Sequence, residues 1–365
     1  MGYVRKAQIT FLLTTDCSMN CVYCYMPRRQ VNEAHRRLDL DFARAGLQDF
    51  FSTSSSRFLR FFSPGEPTMA FAEMQAITEM AREMAGDELR IELETNGYFG
   101  PRVRDWVTEN VDVLWISCDG PPDIHDRQRP TRAGGPTGDL IYANIAHFAQ
   151  VEGMQSGTRA TLGREDMARQ SELLDFFHSL GVKYVCAAPT YYSRANSDVV
   201  TPSLMEFAEH FVPAYFHALD IGMFYQTHLM ANFDEEVEFY CQASIPTPRL
   251  TPDGYVSCCD WASLGYEYTS GALRDCLYGR WDPAAKKIEY DQEKIANIRR
   301  RRIDYLSQHA CMRCPAIKHC AGGCVGKMTA DTDDFFTPTE EWCRATRYLF
   351  DCIPVNQGPF PVIHA

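Results

Sequence analysis

Two kinds of segment alternate along the first 190 residues. Short, nearly continuous apolar runs predict buried strands, and longer runs with apolar residues on one face predict amphipathic helices. Strands separated by crossover helices are typical of a parallel sheet, so we predict an α/β fold with a sheet that is open or rolled toward a barrel. Six strands are predicted, at residues 7–15, 58–65, 90–97, 111–120, 156–163 and 182–190. The helices between them are predicted at 38–51, 69–85, 101–110, 139–151 and 171–181.

The pattern changes in the second half of the chain. Residues 191–235 are aromatic-rich and helical in period, with no strand alternation. From residue 241 cysteines dominate, and regular periodicity is weak apart from a basic helix near 291–308. The predicted organisation is a core at 1–235 ending in a helical bridge, a cysteine-rich domain at 236–350 and a tail at 351–365.

Composition narrows the functional classes. The chain has 365 residues, 45% of them hydrophobic and 23% charged, as in soluble globular proteins. A net charge of -12 argues against a nucleic-acid partner, and no apolar run is long enough for a membrane span. Fifteen cysteines without a signal peptide predict the reducing cytoplasm, where clustered cysteines bind metal or do redox chemistry.

Three of these cysteines follow the first predicted strand in the sequence TTDCSMNCVYCYMPRR. Cys17, Cys21 and Cys24 are spaced C-x3-C-x2-C. Three thiolates fill all but one corner of a tetrahedral metal or cluster site, and an open corner is where chemistry takes place. The opposing interpretation is a structural zinc or cysteine cluster.

This loop, with Tyr23 before its third cysteine, resembles the signature of the radical S-adenosylmethionine enzymes. Glu66 follows the second strand, where that family carries a Gly-Gly-Glu-type motif, although Pro64 replaces the first glycine here. The resemblance implies that Cys17, Cys21 and Cys24 hold a [4Fe–4S] cluster in a partial (β/α)6 barrel. It also implies cofactor-binding roles at the strand ends for Tyr23, Gly65, Glu66, Asn96, Ser117 and Asp119, and we add Arg159 as a contact to the cofactor carboxylate.

The family chemistry follows from the resemblance. The open iron would chelate S-adenosylmethionine, whose reductive cleavage gives a 5′-deoxyadenosyl radical that abstracts hydrogen from an unactivated carbon. The barrel would orient the reactants and exclude water. A reductant such as flavodoxin or ferredoxin would supply the electron.

The C-terminal cysteines resemble the SPASM extension of the same enzymes, which carries two auxiliary [4Fe–4S] clusters. The resemblance assigns one closed cluster to Cys311, Cys314, Cys320 and Cys343. It assigns the other to Cys241, Cys259 and Cys324, and its fourth position is Cys258, Cys276 or open. Taken alone, the spacing of these cysteines also fits a pair of zinc sites. Cys118, Cys186 and Cys352 are expected to be buried thiols.

Two further features point to the substrate. Residues 117–137, with His125 and Arg129, resemble the segment after the fourth strand in SPASM enzymes that act on peptides, although both side chains could equally serve a Pro/Gly-rich loop. Asp260 follows Cys259, where a resemblance to the sulfatase maturases implies a general base; the alternative is a solvated loop aspartate.

The leading hypothesis is therefore a maturase of a ribosomally synthesised precursor peptide, giving a cross-linked or oxidised product. The first strand begins near residue 7, so we expect peptide recognition by a separate leader-binding protein, by the acidic surface or at the cleft. The alternatives are a sulfatase maturase that forms formylglycine, a small-molecule radical dehydrogenase, and a non-catalytic zinc-binding adaptor.

Overall fold

The computed structural model describes residues 7–26, 36–191, 200–263, 266, 269 and 271–355. Within these residues one sheet of eleven strands forms the centre of the molecule. The strands are β1 (Ile9–Leu12), β2 (Phe58–Phe62), β3 (Arg90–Thr95), β4 (Val113–Ser117), β5 (Gln155–Leu162), β6 (Tyr184–Pro189), β7 (Phe224–Thr227), β8 (Arg249–Leu250), β9 (Tyr255–Ser257), β10 (Leu277–Asp282) and β11 (Lys287–Tyr290).

Helices cover this sheet and follow most of its strands. They are α1 (Leu40–Thr53), α2 (Phe71–Ala85), α3 (Pro101–Asn110), α4 (Pro122–Gln128), α5 (Gly138–Phe148), α6 (Gln170–Ser179), α7 (Leu204–Asp220), α8 (Gln292–Arg300), α9 (Ile303–Leu306), α10 (Ile317–Cys320), α11 (Val325–Thr332) and α12 (Glu340–Cys352). Among the described residues, none of these helices combines the length and the hydrophobicity that a membrane span requires.

Strands β1 to β7 are parallel and lie side by side in chain order. All four residues of β1 are buried, because the sheet is covered on both faces. The predicted α/β class with a parallel sheet is confirmed. Since parallel strands end at the same edge, the loops after β1 to β7 gather there.

Two local predictions before residue 235 were wrong. The aromatic-rich segment after 191 contains α7 but also a seventh parallel strand, β7, which pairs with β6. The segment predicted as an irregular Pro/Gly-rich loop contains α4, which begins beside Pro121 and Pro122. A strand of four residues or a helix of about two turns carries too little periodicity to be detected from sequence.

The cysteine-rich half continues the same sheet. Strand β8 pairs in parallel with β1, placing Thr10 opposite Arg249 and Phe11 opposite Leu250. Strands β9, β10 and β11 follow in antiparallel order. The edge of the parallel sheet next to the cysteine loop is therefore bonded directly to the C-terminal half, and the boundary near residue 235 stays a prediction.

Candidate active site

The cysteine loop after β1 is fastened to the segment that follows α4. The backbone amides of Asn20 and Val22 donate to the carbonyls of Pro130 and Gln128, each at 2.9 Å. A backbone bridge between Met19 and Thr131 adds a second attachment. These contacts hold the loop across the carboxyl ends of the strands, with the three cysteine side chains lining a cavity.

The turn after β2 passes close beneath this loop. Gly65 and Glu66 donate their backbone amides to the carbonyls of Thr14 and Asp16, at 3.1 and 2.7 Å. A Cβ atom at position 65 would lie 2.1 Å from the carbonyl oxygen of Asp16, so only glycine fits without movement. A glycine is therefore required at position 65 for a steric reason. Pro64 at the preceding position is compatible with the hydrogen bond from Gly65 to Thr14.

Glu66 ties the turn after β2 to the end of β3. Its Oε1 accepts from the hydroxyl of Thr95 at 2.6 Å and from Thr68, while Oε2 accepts the backbone amide of Asn96 at 2.7 Å. Burial raises the pKa of this carboxyl, and the donors oppose that effect by stabilising the carboxylate. Oε2 keeps acceptor capacity for a ligand.

Asn96 links the end of β3 to the cysteine loop. Its Nδ2 donates to the hydroxyl of Ser18 at 3.1 Å and lies 3.9 Å from the sulfur of Cys17. Ser117, at the end of β4, lines the same cavity opposite Arg159 of β5. Ser117 ends β4 and Arg159 lies within β5, as the sequence predicted.

Tyr23 belongs to a buried polar network with Asp119 and Arg129. Its hydroxyl donates to Asp119 Oδ2 at 2.6 Å and accepts from Arg129, whose guanidinium is 3.8 Å from Asp119 Oδ1. The cofactor-binding role of Tyr23 stays a prediction, and its hydroxyl forms hydrogen bonds within this network. His125 is a loop partner, with Nδ1 accepting the amide of Asp119 and Nε2 contacting Thr137 at 3.1 Å.

The pKa values of the loop thiols depend on burial and on the charges of these neighbours. Burial, followed by the charge of Glu66, raises the pKa of Cys17 to about 12. Burial also raises the pKa of Cys21, and the positive charge of Arg129 opposes that shift. Three thiols on one loop, facing one cavity and backed by a nearby cation, form a donor set that fits an iron–sulfur cluster with one open iron.

A row of charged side chains lies inside the sheet below this edge. Arg60 of β2 pairs with Glu94 of β3 at 2.5 Å, and Arg159 pairs with the same carboxylate at 3.0 Å. The guanidinium of Arg159 also lies 5.0 Å from the ring centroid of Trp115. Arg159 lines the cavity as predicted, but Glu94 is its partner in this structure.

Glu92 is the deepest member of the row. It is fully buried, neither of its carboxylate oxygens has a hydrogen-bond partner in the described chain, and Arg60 Nε lies 3.7 Å away. Burial raises its pKa to about 7, although the charges of Arg60 and Arg159 oppose the shift. A carboxyl in such surroundings changes its protonation state near neutral pH.

Asp260 lies at the meeting point of the two halves. Its carboxylate accepts from Arg249 Nε at 2.8 Å and from Arg60 Nη1 at 3.0 Å. Burial alone would raise its pKa, but the charges of the two arginines outweigh burial and lower it. Asp260 lines the cavity as an ionised carboxylate, and its low pKa makes it a weak base while both pairs are intact.

The C-terminal cysteines form two groups. Cys241, Cys259 and Cys324 line the same cavity as the N-terminal loop, and burial raises the pKa of Cys324 to about 12, with smaller contributions from the other two. The thiol of Cys276 contacts the thiols of both Cys258 and Cys259. Across the described part of the chain, no three His, Cys, Asp or Glu side chains are arranged to hold a single metal ion.

The second group consists of the four remaining predicted ligands. Burial, with the charges of neighbouring thiolates, raises the pKa of Cys311, Cys320 and Cys343. Because Cys314 is among the neighbours that act on all three, the four cysteines lie together. Of the three cysteines expected to be buried thiols, Cys118 and Cys186 are buried, but Cys352 is half-exposed. Cys186 also lines the cavity.

Several ionisable cavity residues escaped the sequence reasoning; Arg60, Glu94 and Arg249 are three of them, and Lys327 and His228 are two more. Lys327 follows Cys324 by three positions, and its ammonium lies 3.7 Å from the ring centroid of Tyr191. Burial lowers the pKa of Lys327 to about 8. His228 follows β7, and burial, Lys327 and Arg159 together lower its pKa well below its usual range. The sequence could have indicated Lys327 only through its position three residues after Cys324. No sequence pattern marked His228 as a cavity residue.

One cavity of about 480 Å³ brings together residues from both halves of the chain, and Cys311, Cys314, Cys320 and Cys343 are not among its lining residues. One wall carries the cysteine loop with Glu66 and Asn96, and another carries Cys259 and Cys324. A ligand in this space would contact both cysteine sets at once.

Known proteins resemble this chain in sequence and in fold. Residues 11–177 match the model of the Radical SAM superfamily. The curated Fe-coproporphyrin III synthase of Methanosarcina barkeri (strain Fusaro / DSM 804) is 24% identical over 202 residues, 55% of this chain and 48% of that protein. The chain spans about half the length of the curated relatives it matches.

Two solved structures share the fold over most of the chain. The structure of anSMEcpe with bound AdoMet has a TM-score of 0.71 at 15% identity, covering 94% of this chain and 92% of that one. Streptococcus suis SuiB bound to S-adenosylmethionine has a TM-score of 0.64 at 16% identity, covering 92% and 77%. Other structures of the two proteins contain a Cp18Cys peptide and the precursor peptide SuiA, respectively. At these identities the likeness shows the fold alone.

Proposed function

Since the chain carries a radical SAM domain over residues 11–177, we propose that it modifies a ribosomally synthesised precursor peptide by abstracting a hydrogen atom from one of its residues. The observation that carries this proposal is the shared cavity, lined on one side by Cys17, Cys21 and Cys24 and on the other by Cys259 and Cys324. A substrate bound there lies between a site that can generate a radical and a site that can accept an electron. Peptide-bound structures exist for both solved proteins of similar fold.

The chain's own residues would hold the reactants in place. Cys17, Cys21 and Cys24 would bind the first [4Fe–4S] cluster, and Glu66 would receive the amino group of S-adenosylmethionine on Oε2. When bound, S-adenosylmethionine and the clusters supply the hydrogen-abstracting radical and accept the remaining electron. The Tyr23–Asp119–Arg129 network would keep the cysteine loop in register with the end of β4.

Asp260 would accept the proton that the oxidised substrate loses. Arg60 and Arg249 keep it ionised, as a proton acceptor must be, and they limit its basicity. A substrate group that displaces one arginine would raise the pKa of Asp260 and strengthen it as a base. Arg159, with Glu94, would line the cofactor side of the cavity.

For the first auxiliary cluster we propose Cys276 as the fourth ligand beside Cys241, Cys259 and Cys324. Its thiol already contacts that of Cys259, and it belongs to a different segment, which avoids the geometric difficulty of adjacent ligands. Cys258 would then be a buried neighbour. The second auxiliary cluster would be closed by Cys311, Cys314, Cys320 and Cys343.

A second candidate function is oxidation of a cysteine or serine side chain to formylglycine. The observation in its favour is Asp260, held in the cavity directly after a cluster ligand. The two candidates differ in the product, since formylglycine is an aldehyde that reacts with hydrazides, whereas a cross-linked peptide does not.

The test begins with protein reconstituted anaerobically with iron and sulfide. We expect roughly twelve irons per chain, and about eight in a Cys17/Cys21/Cys24→Ala variant that no longer forms 5′-deoxyadenosine from S-adenosylmethionine. Cys352→Ala, at a cysteine outside both sets, is the matched control and should behave as the wild type. Short peptides encoded near the gene are then added, and mass spectrometry should show loss of two hydrogen atoms. Zinc in place of iron would refute the proposal and leave the adaptor hypothesis.

A further inference from the structure

The positively charged side chains that line the cavity differ in whether a carboxylate lies close enough to neutralise them. The arginines each have a carboxylate within 4.0 Å: Arg60 and Arg249 share Asp260, Arg159 has Glu94, and Arg129 has Asp119. Lys327 differs. Within the described ranges no carboxylate lies that close to its ammonium, and no hydrogen bond to it is formed.

The surroundings of Lys327 compensate its charge only in part. The side chain is half-buried and its ammonium rests on the face of Tyr191, 3.7 Å from the ring centroid. A cation–π contact is weaker than a charge-assisted hydrogen bond and leaves the three N–H donors unused. The thiolates of Cys324 and Cys186 act on Lys327 as the nearest negative charges, but burial outweighs them. A partly buried ammonium without a carboxylate partner is unfavourable, so this position is suited to a ligand that brings a further negative charge.

His228 lies on the same side of the cavity, at the end of β7. Burial, followed by the nearby positive charges of Lys327 and Arg159, lowers the pKa of His228 well below its usual range, so the neutral ring has one N–H donor and one acceptor nitrogen. Together, Lys327 and His228 present a cation and a neutral donor in one place. This is a donor set for a carboxylate.

We propose that Lys327 and His228 form a subsite that binds a carboxylate of the substrate, and so select a peptide with an acidic group beside the residue that reacts. The carboxylate belongs either to an Asp or Glu side chain or to the C-terminus of the peptide, and the chemistry of recognition is the same for both. The proposal rests on the proposed peptide-modifying function. It places recognition on the wall formed by β6, β7 and α11, away from the cysteine loop after β1.

The test uses three pools of N-acetylated hexapeptides that share random flanking residues. The first has a central Glu and a C-terminal amide, the second has Gln and the amide, and the third has Gln and a free C-terminal carboxylate. Each pool is dialysed to equilibrium against cluster-loaded protein with S-adenosylmethionine. The bound fraction is then measured for the wild type, Lys327→Met, Lys327→Arg, His228→Ala and Lys287→Met. The last variant changes an exposed lysine on β11 and serves as the matched control.

We expect the wild type and Lys287→Met to retain the Glu pool or the free-carboxylate pool about tenfold better than the Gln amide pool. Which of the two is retained identifies the source of the carboxylate. Lys327→Met should lose the preference, Lys327→Arg should keep it, and His228→Ala should reduce it. Equal retention of all three pools by the wild type, or an undiminished preference in Lys327→Met, would overturn the proposal.

One further measurement separates recognition from an effect on the neighbouring cluster. If Lys327→Met shifted the reduction potential of the auxiliary cluster at Cys324 while leaving peptide selectivity intact, the subsite would be refuted. Failure of the proposed function itself would be detected by a different assay. In that case the wild type, incubated without peptide, would form no 5′-deoxyadenosine from S-adenosylmethionine.

Discussion

The contact at Gly65 offers a direct test of how the cysteine loop is positioned. In Gly65→Ala the new methyl group would lie 2.1 Å from the carbonyl oxygen of Asp16 and 2.6 Å from the carbonyl carbon of Thr15. Both atoms are backbone, so no rotamer change can relieve the overlap. The loop, the turn after β2, or both must move.

The size of the movement follows from the overlap. Real Cβ contacts are essentially never closer than 3.0 Å, so the two segments must separate by about 1 Å. That shift weakens the amide bonds from Gly65 to Thr14 and from Glu66 to Asp16. A displacement of about 1 Å at a positioned reactive group lowers rates by about 100-fold, and we expect that loss in 5′-deoxyadenosine formation.

The assay compares Gly65→Ala with Gly100→Ala, the same chemical change at a glycine with no atom within 4 Å of the added methyl group. Iron content, thermal unfolding and the rate of S-adenosylmethionine cleavage are measured for both variants. Gly100→Ala should match the wild type in all three. If Gly65→Ala cleaved S-adenosylmethionine within a few-fold of the wild-type rate, the close approach would not position the loop, and the reasoning would be wrong.

Two further predictions concern buried groups. Burial raises the pKa of Glu92 from 4.5 to about 7, so the folded state favours the protonated carboxyl. The stability that this preference contributes is complete below pH 4.5 and is lost as pH rises through 7. Above pH 8, Glu92→Gln should therefore be more stable than the wild type by up to about 3 kcal/mol. Thermal unfolding of the wild type, Glu92→Gln and the exposed control Glu88→Gln is measured from pH 5 to 9. If the stability of all three proteins changed with pH in parallel, the prediction for Glu92 would be wrong. Tyr23→Phe removes a donor to buried Asp119, and should cost about 1–3 kcal/mol and slow S-adenosylmethionine cleavage. Tyr98→Phe is the control. An unchanged Tyr23→Phe protein would show that the amide of Thr161 and the charge of Arg129 suffice for Asp119.

The sequence carried enough local information to determine the parallel core. The six predicted strands and five crossover helices are all present, because a helix or a buried strand of sufficient length leaves its period in the chain. The position of the cysteine loop after β1, and of Glu66 and Asn96 at later strand ends, followed from the rule that parallel strands end at one edge. The resemblance to radical S-adenosylmethionine enzymes added the chemistry.

Only the tertiary structure decided which distant segments pair and which side chains lie next to each other. The pairing of β1 with β8 joins residues that are far apart in the chain, and neither segment signals its partner. The same is true of Asp260 between Arg60 and Arg249, and of Lys327 beside His228. Short segments such as β7 and α4 form because neighbours complete their hydrogen bonds and cover their apolar side chains. A sequence pattern reports the preferences of single segments, whereas charge pairing, burial and pKa depend on which distant segments the fold brings together.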